Sequence, residues 1–512
     1  MSELSVRPTA VEARRIATLV DRLRSAGFTD VELGGDATVE VTGITHDSRL
    51  VRPGDLYVAR AGENTHGIVH LAEASAAGAV AVLTDRVAAR SAIEAGTPAV
   101  LAVDEPRAAM GPAAAWAYGD PAESMTLLGV TGTNGKTTTS YLIDAGLRAA
   151  GRRTGLVGTI ETRVDGEVLP SARTTPEATD LHALLAVMRE RGVDSVAMEV
   201  SSHALALGRV DGVVFDVAGF TNLTQDHLDF HPDMASYFAA KASLFSPARA
   251  RRAVVTVDDE WGLRLAGEAG VPVVTTGRRD GADWRRHDEV PAAAGSDGSV
   301  RLTGRGDTFV VGCRLLGSVN LVNAAMAFVM LVEAGVESGL ARAGIATLAA
   351  VPGRLEPVDV GQPFVAVVDY AHTPGAVTAA LSDARALADP GGRVLVVLGC
   401  GGDRDRAKRP LMGAAAATGS DLAVFTNDNP RSEDPEEILA AMRSGVPAGL
   451  RVLVEPDRAR AIDAAVRLAR AGDVLVVAGK GHEQGQETAG VSVPFDDRLV
   501  LRESLLTHFG AA

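Results

Sequence analysis

The chain has 512 residues, and 46% of them are hydrophobic, which is typical of a folded protein with two to four domains. Its formal net charge of −15 argues against binding nucleic acid or an anionic membrane surface through bulk charge. The two cysteines do not resemble a disulfide framework, and no apolar run approaches the roughly 18 residues of a membrane span. Because the first residues also lack an apolar signal-peptide core, we expect a cytoplasmic protein.

Short apolar runs alternate with Ala-, Leu- and Arg-rich segments, from "GAVAVLTD" through "DSVAMEV" and "RVLVVLG" to "DVLVVAG". Strands that are apolar on both faces and joined by helices predict an α/β fold with mostly parallel sheets. The pattern divides into three blocks, which we take as domains over 1–105, 106–350 and 351–512. The Gly-, Asp- and Arg-rich segment 276–308 predicts a hairpin or surface excursion.

The central block begins with "MTLLGVTGTNGKTTTSYLI", residues 125–143. The usual phosphate-loop spacing requires glycine where this chain has Val130. The stretch is therefore either a nucleotide site of another lineage or a glycine-rich turn that happens to carry a lysine. An apolar strand before it and a helix pattern after it favour a nucleotide site, since glycines and a helix N-terminus bind phosphate. Lys136 would then contact the outer phosphates, and the Thr137 hydroxyl would bind Mg²⁺.

Three further residues follow predicted strands or lie on a helix of the same block. Glu199 ends the apolar run "VAMEV", a position where a nucleotide enzyme holds Mg²⁺ through oxygen ligands. His227 follows another strand in "TNLTQDHLDFH". Taken alone, a strand-end Glu or His is more often structural. Lys241 lies in "ASYFAAKASLF", and its residues alone favour a helix lysine whose amine reaches solvent.

A series of short motifs runs in order along nearly the whole chain. They are "DSRLVRPGDLYVA", "TGTNGKTTT", "RTTPEA", "EVSSHAL", "TNLTQDHLDFH", "GSVNLVNAAMA", "PGRLE", "DYAHTP", "GCGGDRDRAKRP", "DNPRSEDP" and "GKGHE". This series resembles the Mur ligases, the ATP-dependent amide-bond synthetases of peptidoglycan precursor assembly. Within the family, the chain looks most like the members that add a diamino acid to UDP-MurNAc-L-Ala-D-Glu. The resemblance implies a UDP-binding N-terminal α/β domain, a central P-loop-type ATPase domain and a C-terminal Rossmann-like domain.

The resemblance also implies roles for individual residues. ATP and Mg²⁺ would be required, and the γ-phosphate would pass to the D-Glu carboxylate to form an acyl phosphate, which the amine of the amino acid then attacks. Lys136, Glu199, His227 and Lys241 would be catalytic, and the metal ligands would be Thr137, Glu199, His227 and Lys241, the last as a carbamate. The ATP-binding residues implied in this way are Gly132, Thr133, Asn134, Gly135, Lys136, Thr137, Thr138, Asn320 (of the pair Asn320 and Asn323), Arg354 and Asp369.

For the UDP-sugar-dipeptide, the resemblance implies contacts on two blocks of the chain. Ser48 and the turn 63–67, with Asn64 and Thr65, match the uridine side. The residues that match contacts to the muramoyl-dipeptide are Thr174, Thr175, Ser201 and Arg209. Two positions depart from the family pattern, because Leu207 replaces the Gln of some members and Arg173 replaces an Asn.

The motif "TNDNPRSEDP" bears on which amino acid is added, since Asp-Asn-Pro-Arg marks the diaminopimelate-adding members of the family. Diaminopimelate differs from lysine by a second carboxylate, and Arg431 offers a planar fork that pairs a carboxylate. A lysine ligand would leave that guanidinium without an anion, and sites built to pair a polar group reject an analogue that lacks it. The predicted amino-acid site comprises Arg404, Asp428, Asn429, Pro430, Arg431, Gly479 and Glu483.

Several alternatives stay open at this point. A lysine-adding ligase of the same family would usually lack the Arg431 side chain. Folylpolyglutamate synthase shares the ATPase and C-terminal domains, but "DSRLVRPGDLYVA" in the N-terminal block argues against it. A non-catalytic nucleotide-binding scaffold would be expected to have lost some of the residues named above. We expect a monomer with UDP-MurNAc-L-Ala-D-Glu and meso-2,6-diaminopimelate as partners, and with no nucleic acid and no integral membrane.

Overall fold

The computed structural model describes residues 6–62, 64–169, 173–293 and 296–510. Glu63 of the predicted uridine turn therefore lies outside the described residues. Three separate sheets of five, eleven and six strands organise the described chain, which agrees with a three-domain α/β fold. No helix in these ranges has both the length and the apolar character needed to span a membrane.

The N-terminal sheet has the strand order β2-β7-β6-β5-β4, in which only β2 is antiparallel to its neighbour. The elements of this region are β1 (Arg14–Arg15), α1 (Ile16–Ser25), β2 (Glu32–Gly35), β3 (Glu40–Val41), β4 (Gly43–Thr45), β5 (Asp55–Ala59), α2 (Leu71–Ala76), β6 (Ala81–Thr84), α3 (Arg86–Glu94), β7 (Ala99–Ala102) and α4 (Pro106–Ala117). Met110 of α4 packs in one apolar cluster with Leu19 of α1 and Leu101 of β7. Helix α4 thus contributes to the N-terminal core, although the predicted boundary after residue 105 leaves it in the central block.

The central sheet has the order β11-β10-β9-β12-β8-β13-β14-β15-β16-β17-β18. The seven strands from β9 to β16 are parallel, and antiparallel strands extend both edges. Its elements are β8 (Thr126–Thr131), α5 (Lys136–Ala149), β9 (Thr154–Val157), β10 (Thr162–Val164), β11 (Glu167–Leu169), α6 (Ala178–Glu190), β12 (Ser195–Glu199), α7 (Ser202–Ala206), β13 (Val217–Phe220), α8 (Met234–Ala242), β14 (Ala253–Thr256), α9 (Glu260–Glu268), β15 (Val273–Gly277), β16 (Trp284–Val290), β17 (Gly298–Gly304), β18 (Asp307–Cys313), α10 (Ser318–Glu333) and α11 (Ser338–Thr347).

The central strands are apolar on both faces because helices cover both sides of the sheet. In β8, Leu127 belongs to the cluster that includes α6 and α8, whereas Leu128 belongs to the cluster that includes α5 and α10. The segment predicted as a hairpin forms β16, β17 and β18, and Trp284 of β16 is buried against Phe328 of α10. This excursion therefore extends the sheet and contributes to the core.

The C-terminal sheet has the order β19-β20-β24-β21-β22-β23 and is parallel apart from β19. Its elements are β19 (Glu356–Pro357), β20 (Val365–Asp369), α12 (Pro374–Leu387), β21 (Val394–Leu398), α13 (Lys408–Gly419), β22 (Leu422–Phe425), α14 (Pro435–Ser444), β23 (Val452–Val454), α15 (Arg458–Leu468), β24 (Val474–Ala478), β25 (Gly485–Thr488), β26 (Val491–Pro494) and α16 (Asp497–Phe509). Helices α12 to α14 cover one face, and α15 and α16 cover the other. Ligands of such sheets bind at the carboxyl ends of the strands, and the motif loops lie there.

Candidate active site

The loop 132–135 joins β8 to the start of α5, and two of its glycines cannot be replaced without a clash. Gly132 and Gly135 have φ of +144° and +87°, a region that side chains other than glycine rarely adopt. A Cβ atom at Gly132 would lie 1.9 Å from Thr221 Oγ1, and one at Gly135 would lie 2.4 Å from Asn323 Oδ1. The backbone N–H groups at the start of the 14-residue helix α5 therefore face a loop of the kind that binds phosphate.

Lys136, the first residue of α5, folds back over this loop. Its Nζ atom donates hydrogen bonds to the carbonyl oxygens of Gly132, at 2.9 Å, and Thr133, at 3.0 Å. Burial lowers the pKa of Lys136, and the nearby carboxylates of Glu199 and Asp226 oppose that shift. The amine is thus held against the backbone of the glycine loop.

Glu199 at the end of β12 accepts hydrogen bonds from three groups and is only 1% exposed. Thr137 Oγ1 donates to its Oε2 atom at 2.9 Å, and Thr159 Oγ1 donates to the same atom at 3.0 Å. The backbone N of Thr159 donates to Glu199 Oε1 at 2.8 Å. Strands β12 and β8 are parallel neighbours, so their carboxyl ends bring Glu199 next to the phosphate loop. The carboxylate and hydroxyl oxygens together are of the type that Mg²⁺ prefers.

The C-terminal domain reaches this centre through Arg354. Its Nη2 atom donates to Thr137 Oγ1 at 3.1 Å, and its guanidinium lies 4.5 Å from the centre of the Tyr370 ring. Asp369, at the end of β20, accepts from the backbone N of Leu355 at 2.8 Å. Burial raises the pKa of Asp369, and the neighbouring charge of Arg354 opposes that shift. The polar chain from Glu199 through Thr137 to Arg354 thus crosses from the central to the C-terminal domain.

Lys241 of α8 is buried, so the interpretation of this residue as a helix lysine with its amine in solvent is wrong. Its Nζ atom donates to the carbonyl oxygen of Gly132 at 2.8 Å and lies 4.6 Å from the centre of the Tyr237 ring. Burial lowers the pKa of Lys241 well below its usual value, and the charge of Lys136 adds to the effect. The prediction failed because α8 packs beneath the phosphate loop. This tertiary contact cannot be seen in the sequence of the helix.

His227 lies beside the same loop in a strained backbone conformation, with φ of +55°. Its ring packs edge-on against His203, with 4.8 Å between the ring centres. Burial lowers the pKa of His227 to about 3, although the adjacent Asp226 opposes the shift. Within the described ranges, no group of three or more His, Cys, Asp or Glu forms a ready-made metal site. The predicted four-ligand metal set therefore remains a prediction.

Asn320 and Asn323 are buried one turn apart on α10. Asn323 Nδ2 donates to Asn320 Oδ1 at 3.0 Å, and Asn320 Nδ2 donates to the Leu316 carbonyl at 2.7 Å. The C-terminal domain contacts the start of this helix as well. Asp383 of α12 accepts from the backbone N of Ser318 at 2.9 Å and from its Oγ at 2.7 Å. The sequence did not predict a role for Asp383, because nothing in "GAVTAALSDARALA" distinguishes it from the other polar residues of that helix.

A cavity of about 850 Å³ lies between the central and C-terminal domains. It brings together most of the predicted ATP-binding and dipeptide-binding residues. Those that line it are Thr133, Asn134, Gly135, Lys136, Thr137, Thr138, Thr174, Thr175, Glu199, Ser201, Arg209, His227, Asn320, Asn323, Arg354, Asp369 and Arg404. Gly132 begins the loop that forms the wall of the cavity, and Lys241 lies directly behind that loop.

The residues predicted for the UDP-sugar-dipeptide lie in two places. Thr174 and Thr175 join the catalytic centre, because Thr174 Oγ1 is 3.0 Å from Thr159 Oγ1 and Thr175 Oγ1 donates to the Glu199 carbonyl at 2.8 Å. Ser48 lies apart from them in the N-terminal domain, where its Oγ donates to Glu73 Oε2 at 2.9 Å. Asn64 and Thr65 belong to a tight turn closed by a backbone hydrogen bond from Gly62 to Thr65, at 2.9 Å. Of the two positions that depart from the family pattern, Arg173 lines the cavity, but Leu207 does not.

The predicted amino-acid residues form a second cluster at the carboxyl ends of β22 and β24. Asn429 Nδ2 donates to Glu483 Oε2 at 2.7 Å. Sequence reasoning missed the centre of this cluster, Lys480, which is fully buried and donates to Asn429 Oδ1 at 3.0 Å and to Glu483 Oε2 at 3.1 Å. The motif "GKGHE" contains this lysine, but its burial depends on the conformation of the loop after β24, which the sequence does not predict.

Other members of this cluster are constrained by backbone geometry. Gly479 has φ of +112°, and a Cβ atom there would lie 2.8 Å from Asp428 Oδ2. Arg431, which follows Pro430, donates from Nη1 to the Gly402 carbonyl at 2.6 Å. Arg404 is exposed and is the member of the cluster that also lines the large cavity. The predicted amino-acid site therefore adjoins the cavity through Arg404.

Comparisons with known proteins cover almost the whole chain. Family models match three consecutive segments: the Mur ligase family catalytic domain at 40–117, the Mur ligase middle domain at 130–331 and the Mur ligase glutamate ligase domain at 353–481. A protein from Streptomyces coelicolor named UDP-N-acetylmuramoyl-L-alanyl-D-glutamate--2,6-diaminopimelate ligase is 54% identical over 507 residues, which cover 98% of each chain.

Solved structures agree with the sequence comparisons. The structure of a protein with the same name has a TM-score of 0.67 and 30% identity, and it covers 97% of this chain and 99% of its own. The MurF ligase from Thermotoga maritima, solved in complex with ADP, has a TM-score of 0.62 and 18% identity, covering 92% of this chain and 97% of its own. At that identity the second likeness supports the fold alone.

Proposed function

The chain belongs to the Mur ligase family, and from this premise we propose that it joins meso-2,6-diaminopimelate to the D-Glu carboxylate of UDP-MurNAc-L-Ala-D-Glu at the expense of ATP. The observation that carries the proposal is the polar chain from Glu199 through Thr137 to Arg354, which spans two domains above a phosphate loop. The predicted dipeptide residues lie beside Glu199, at one end of this series of hydrogen bonds. The predicted amino-acid cluster adjoins the cavity between the central and C-terminal domains, which those residues also line. Such a centre suits a reaction that joins two substrates beside a nucleotide.

The residues of the centre act mainly by positioning and by neutralising charge. The γ-phosphoryl group passes from ATP to a D-Glu carboxylate oxygen, which gives ADP and an acyl phosphate. The amine of the amino acid then attacks the acyl carbon, an amide bond forms, and phosphate leaves. Lys136 contacts the phosphate loop and Arg354 contacts Thr137 in the first turn of α5, and both would stabilise the negative charge on the transferring group.

The residues at the phosphate loop fit a bound Mg²⁺, which would neutralise charge on the transferring phosphoryl group. Thr137 Oγ1 and Glu199 Oε2 lie 2.9 Å apart and offer hard oxygen donors. We propose these two residues as ligands, with His227 and a carbamate of Lys241. The buried amine of Lys241 supports the carbamate, because an uncharged amine adds CO₂ to give a carboxylate-like group and one released proton.

The other parts of the proposal follow from the substrates. Both the UDP-activated precursor and ATP are cytoplasmic metabolites, and the two cysteines are free thiols, so we place the reaction in the cytoplasm. We propose that the protein acts as a monomer. The product would be a precursor for peptidoglycan.

One kinetic experiment distinguishes a ligase from a nucleotide-binding scaffold. Purified protein would be given ATP, Mg²⁺ and diaminopimelate, with and without UDP-MurNAc-L-Ala-D-Glu, and phosphate release would be measured. A ligase releases phosphate only when the UDP-precursor is present, whereas a nucleotide-binding scaffold releases none in either mixture. Release with a pteroyl-glutamate substrate and L-glutamate, in place of the UDP-precursor and diaminopimelate, would move the function to the folylpolyglutamate synthases.

A further inference from the structure

The hairpin formed by β25 and β26 lies against the Asp-Asn-Pro-Arg motif, residues 428–431, and forms a small sheet of its own. Strand β25 runs parallel to the end of this motif, with Thr488 opposite Arg431. The backbone N of Arg431 donates to the Glu487 carbonyl at 3.0 Å, and the backbone N of Ala489 donates to the Arg431 carbonyl at 2.6 Å. The hairpin therefore binds both backbone polar groups of Arg431.

Two more hydrogen bonds join the hairpin to the first residues of the motif. Gln486 Nε2 donates to the Asp428 carbonyl at 2.8 Å, and the backbone N of Glu487 donates to Asn429 Oδ1 at 3.0 Å. Asp428 and Asn429 are buried, so these bonds lie at a covered surface between the hairpin and the motif. Because Gln486 donates through its side chain, a substitution can remove this contact without changing the backbone.

The hairpin and the motif depend on each other for their conformation. All four residues of β26 are exposed, with Val491 at 64% and Val493 at 48%, so the hairpin has little apolar packing. A two-stranded hairpin without such packing is marginally stable by itself. In turn, Arg431 has φ of +53°, a conformation that a residue other than glycine keeps only where its surroundings fix it. The hairpin thus fixes the direction in which the Arg431 side chain leaves the backbone.

We propose that the hairpin β25–β26 is a positioning element of the amino-acid site, and that Gln486 determines specificity by acting through Arg431. The inference rests on the proposed function and deepens it, because it adds an element that holds the predicted selectivity residue. A guanidinium pairs a carboxylate through two parallel N–H donors, which requires one orientation of the two groups. Lysine has no carboxylate at its distal end, so its use as a substrate should not depend on that orientation.

Steady-state kinetics of the full-length protein with diaminopimelate and with L-lysine test the specificity role. Gln486→Met removes the donor but keeps the length of the side chain. It should raise KM for diaminopimelate about 3- to 10-fold, the loss expected for one neutral hydrogen bond, and leave kcat within about twofold. The kcat/KM for lysine and the KM for ATP should also stay within about twofold. Gln486→Glu, which places a carboxylate against the Asp428 carbonyl, should raise KM for diaminopimelate further.

The matched control is Ser492→Ala, which changes an exposed side chain on the other strand of the same hairpin and should leave all of these constants unchanged. An equal loss for diaminopimelate and lysine in Gln486→Met would assign Gln486 a purely structural role and overturn its part in specificity. An unchanged KM for diaminopimelate in both Gln486 variants would overturn it as well.

Hydrogen exchange in the free protein tests the positioning role without any turnover. The Arg431 amide should exchange faster in Gln486→Met than in the wild type or in Ser492→Ala, because the hairpin that binds this amide is then held less firmly. An unchanged exchange rate would overturn the positioning role. Wild-type protein that joins neither amino acid would instead refute the proposed function, and the exchange rates would still decide whether the hairpin holds Arg431.

Discussion

Replacing Arg431 with alanine should remove most of the preference for diaminopimelate over lysine. In the structure, Arg431 Nη1 donates to the Gly402 carbonyl at 2.6 Å, and Nε lies 3.9 Å from Glu487 Oε2. The side chain is 23% exposed, so it is neither fully hydrated nor sealed from solvent. We expect its guanidinium to pair the distal carboxylate of diaminopimelate, which lysine does not have.

The size of the effect follows from the contacts that would be lost. Each hydrogen bond to a charged group contributes about 1.5–3 kcal/mol, and partial exposure favours the lower end for a bidentate pair. A total of about 2–4 kcal/mol corresponds to a fall of roughly 30- to 1,000-fold in kcat/KM for diaminopimelate. The substitution should not change the backbone strain at this position. Arg431 already adopts φ of +53°, and the Cβ atom of alanine restricts the backbone there in the same way as that of arginine.

The assay compares kcat/KM for diaminopimelate and for L-lysine in the wild-type protein and in Arg431→Ala. Values for lysine should change by less than about threefold, because that substrate has no carboxylate to lose. Arg467→Ala provides the control, since Arg467 is 61% exposed on α15 and pairs only with Asp463 at 3.2 Å among the residues described. An unchanged kcat/KM for diaminopimelate, or an equal loss for both amino acids, would refute the selectivity role of Arg431.

Three other outcomes are expected. Lys241→Ala should lose activity because the carbamate cannot form, and added formate or acetate should restore part of it; a variant that formate cannot rescue would count against the carbamate. Arg354→Ala should lower kcat by about 10- to 100-fold through the lost hydrogen bond to Thr137, and kinetics like those of the wild type would exclude that role. Burial lowers the pKa of His46 in the folded protein from 6.5 to about 4. As the pH falls from 6.5 to 4, the unfolded chain therefore takes up a proton at His46 before the folded protein does, and the free energy of unfolding drops by about 3 kcal/mol. Urea unfolding of His46→Gln should lack that drop, and an identical pH dependence in the variant and the wild type would contradict it.

The sequence predicts well those features of the protein that depend on residues close together in the chain. The phosphate loop needs a strand, glycines of positive φ and a helix start, and all of these lie within residues 125–143. The doubly apolar strands likewise report that both faces of each sheet are covered. Family resemblance then adds Glu199, whose contact with Thr137 depends on two strands that are neighbours in the sheet but distant in the chain.

The parts that the sequence does not predict depend on packing between elements. Lys241 reads as a surface lysine in isolation, yet α8 lies behind the phosphate loop and buries its amine. Asp383 meets α10 only because the C-terminal domain is placed against the central one. Helix α4 follows the first sheet in the chain and also packs into its core, so a boundary drawn from composition at residue 105 separates a helix from its own cluster.

The most direct test of the ligase assignment is mass spectrometry of the product formed from UDP-MurNAc-L-Ala-D-Glu, ATP and Mg²⁺ in the presence of both meso-diaminopimelate and L-lysine at equal concentration. The account predicts that the product carries diaminopimelate and that ADP and phosphate form in equal amounts with it. A product that carries lysine would contradict the role of Arg431 but keep the ligase, whereas ADP formation without any new amide would contradict the ligase itself.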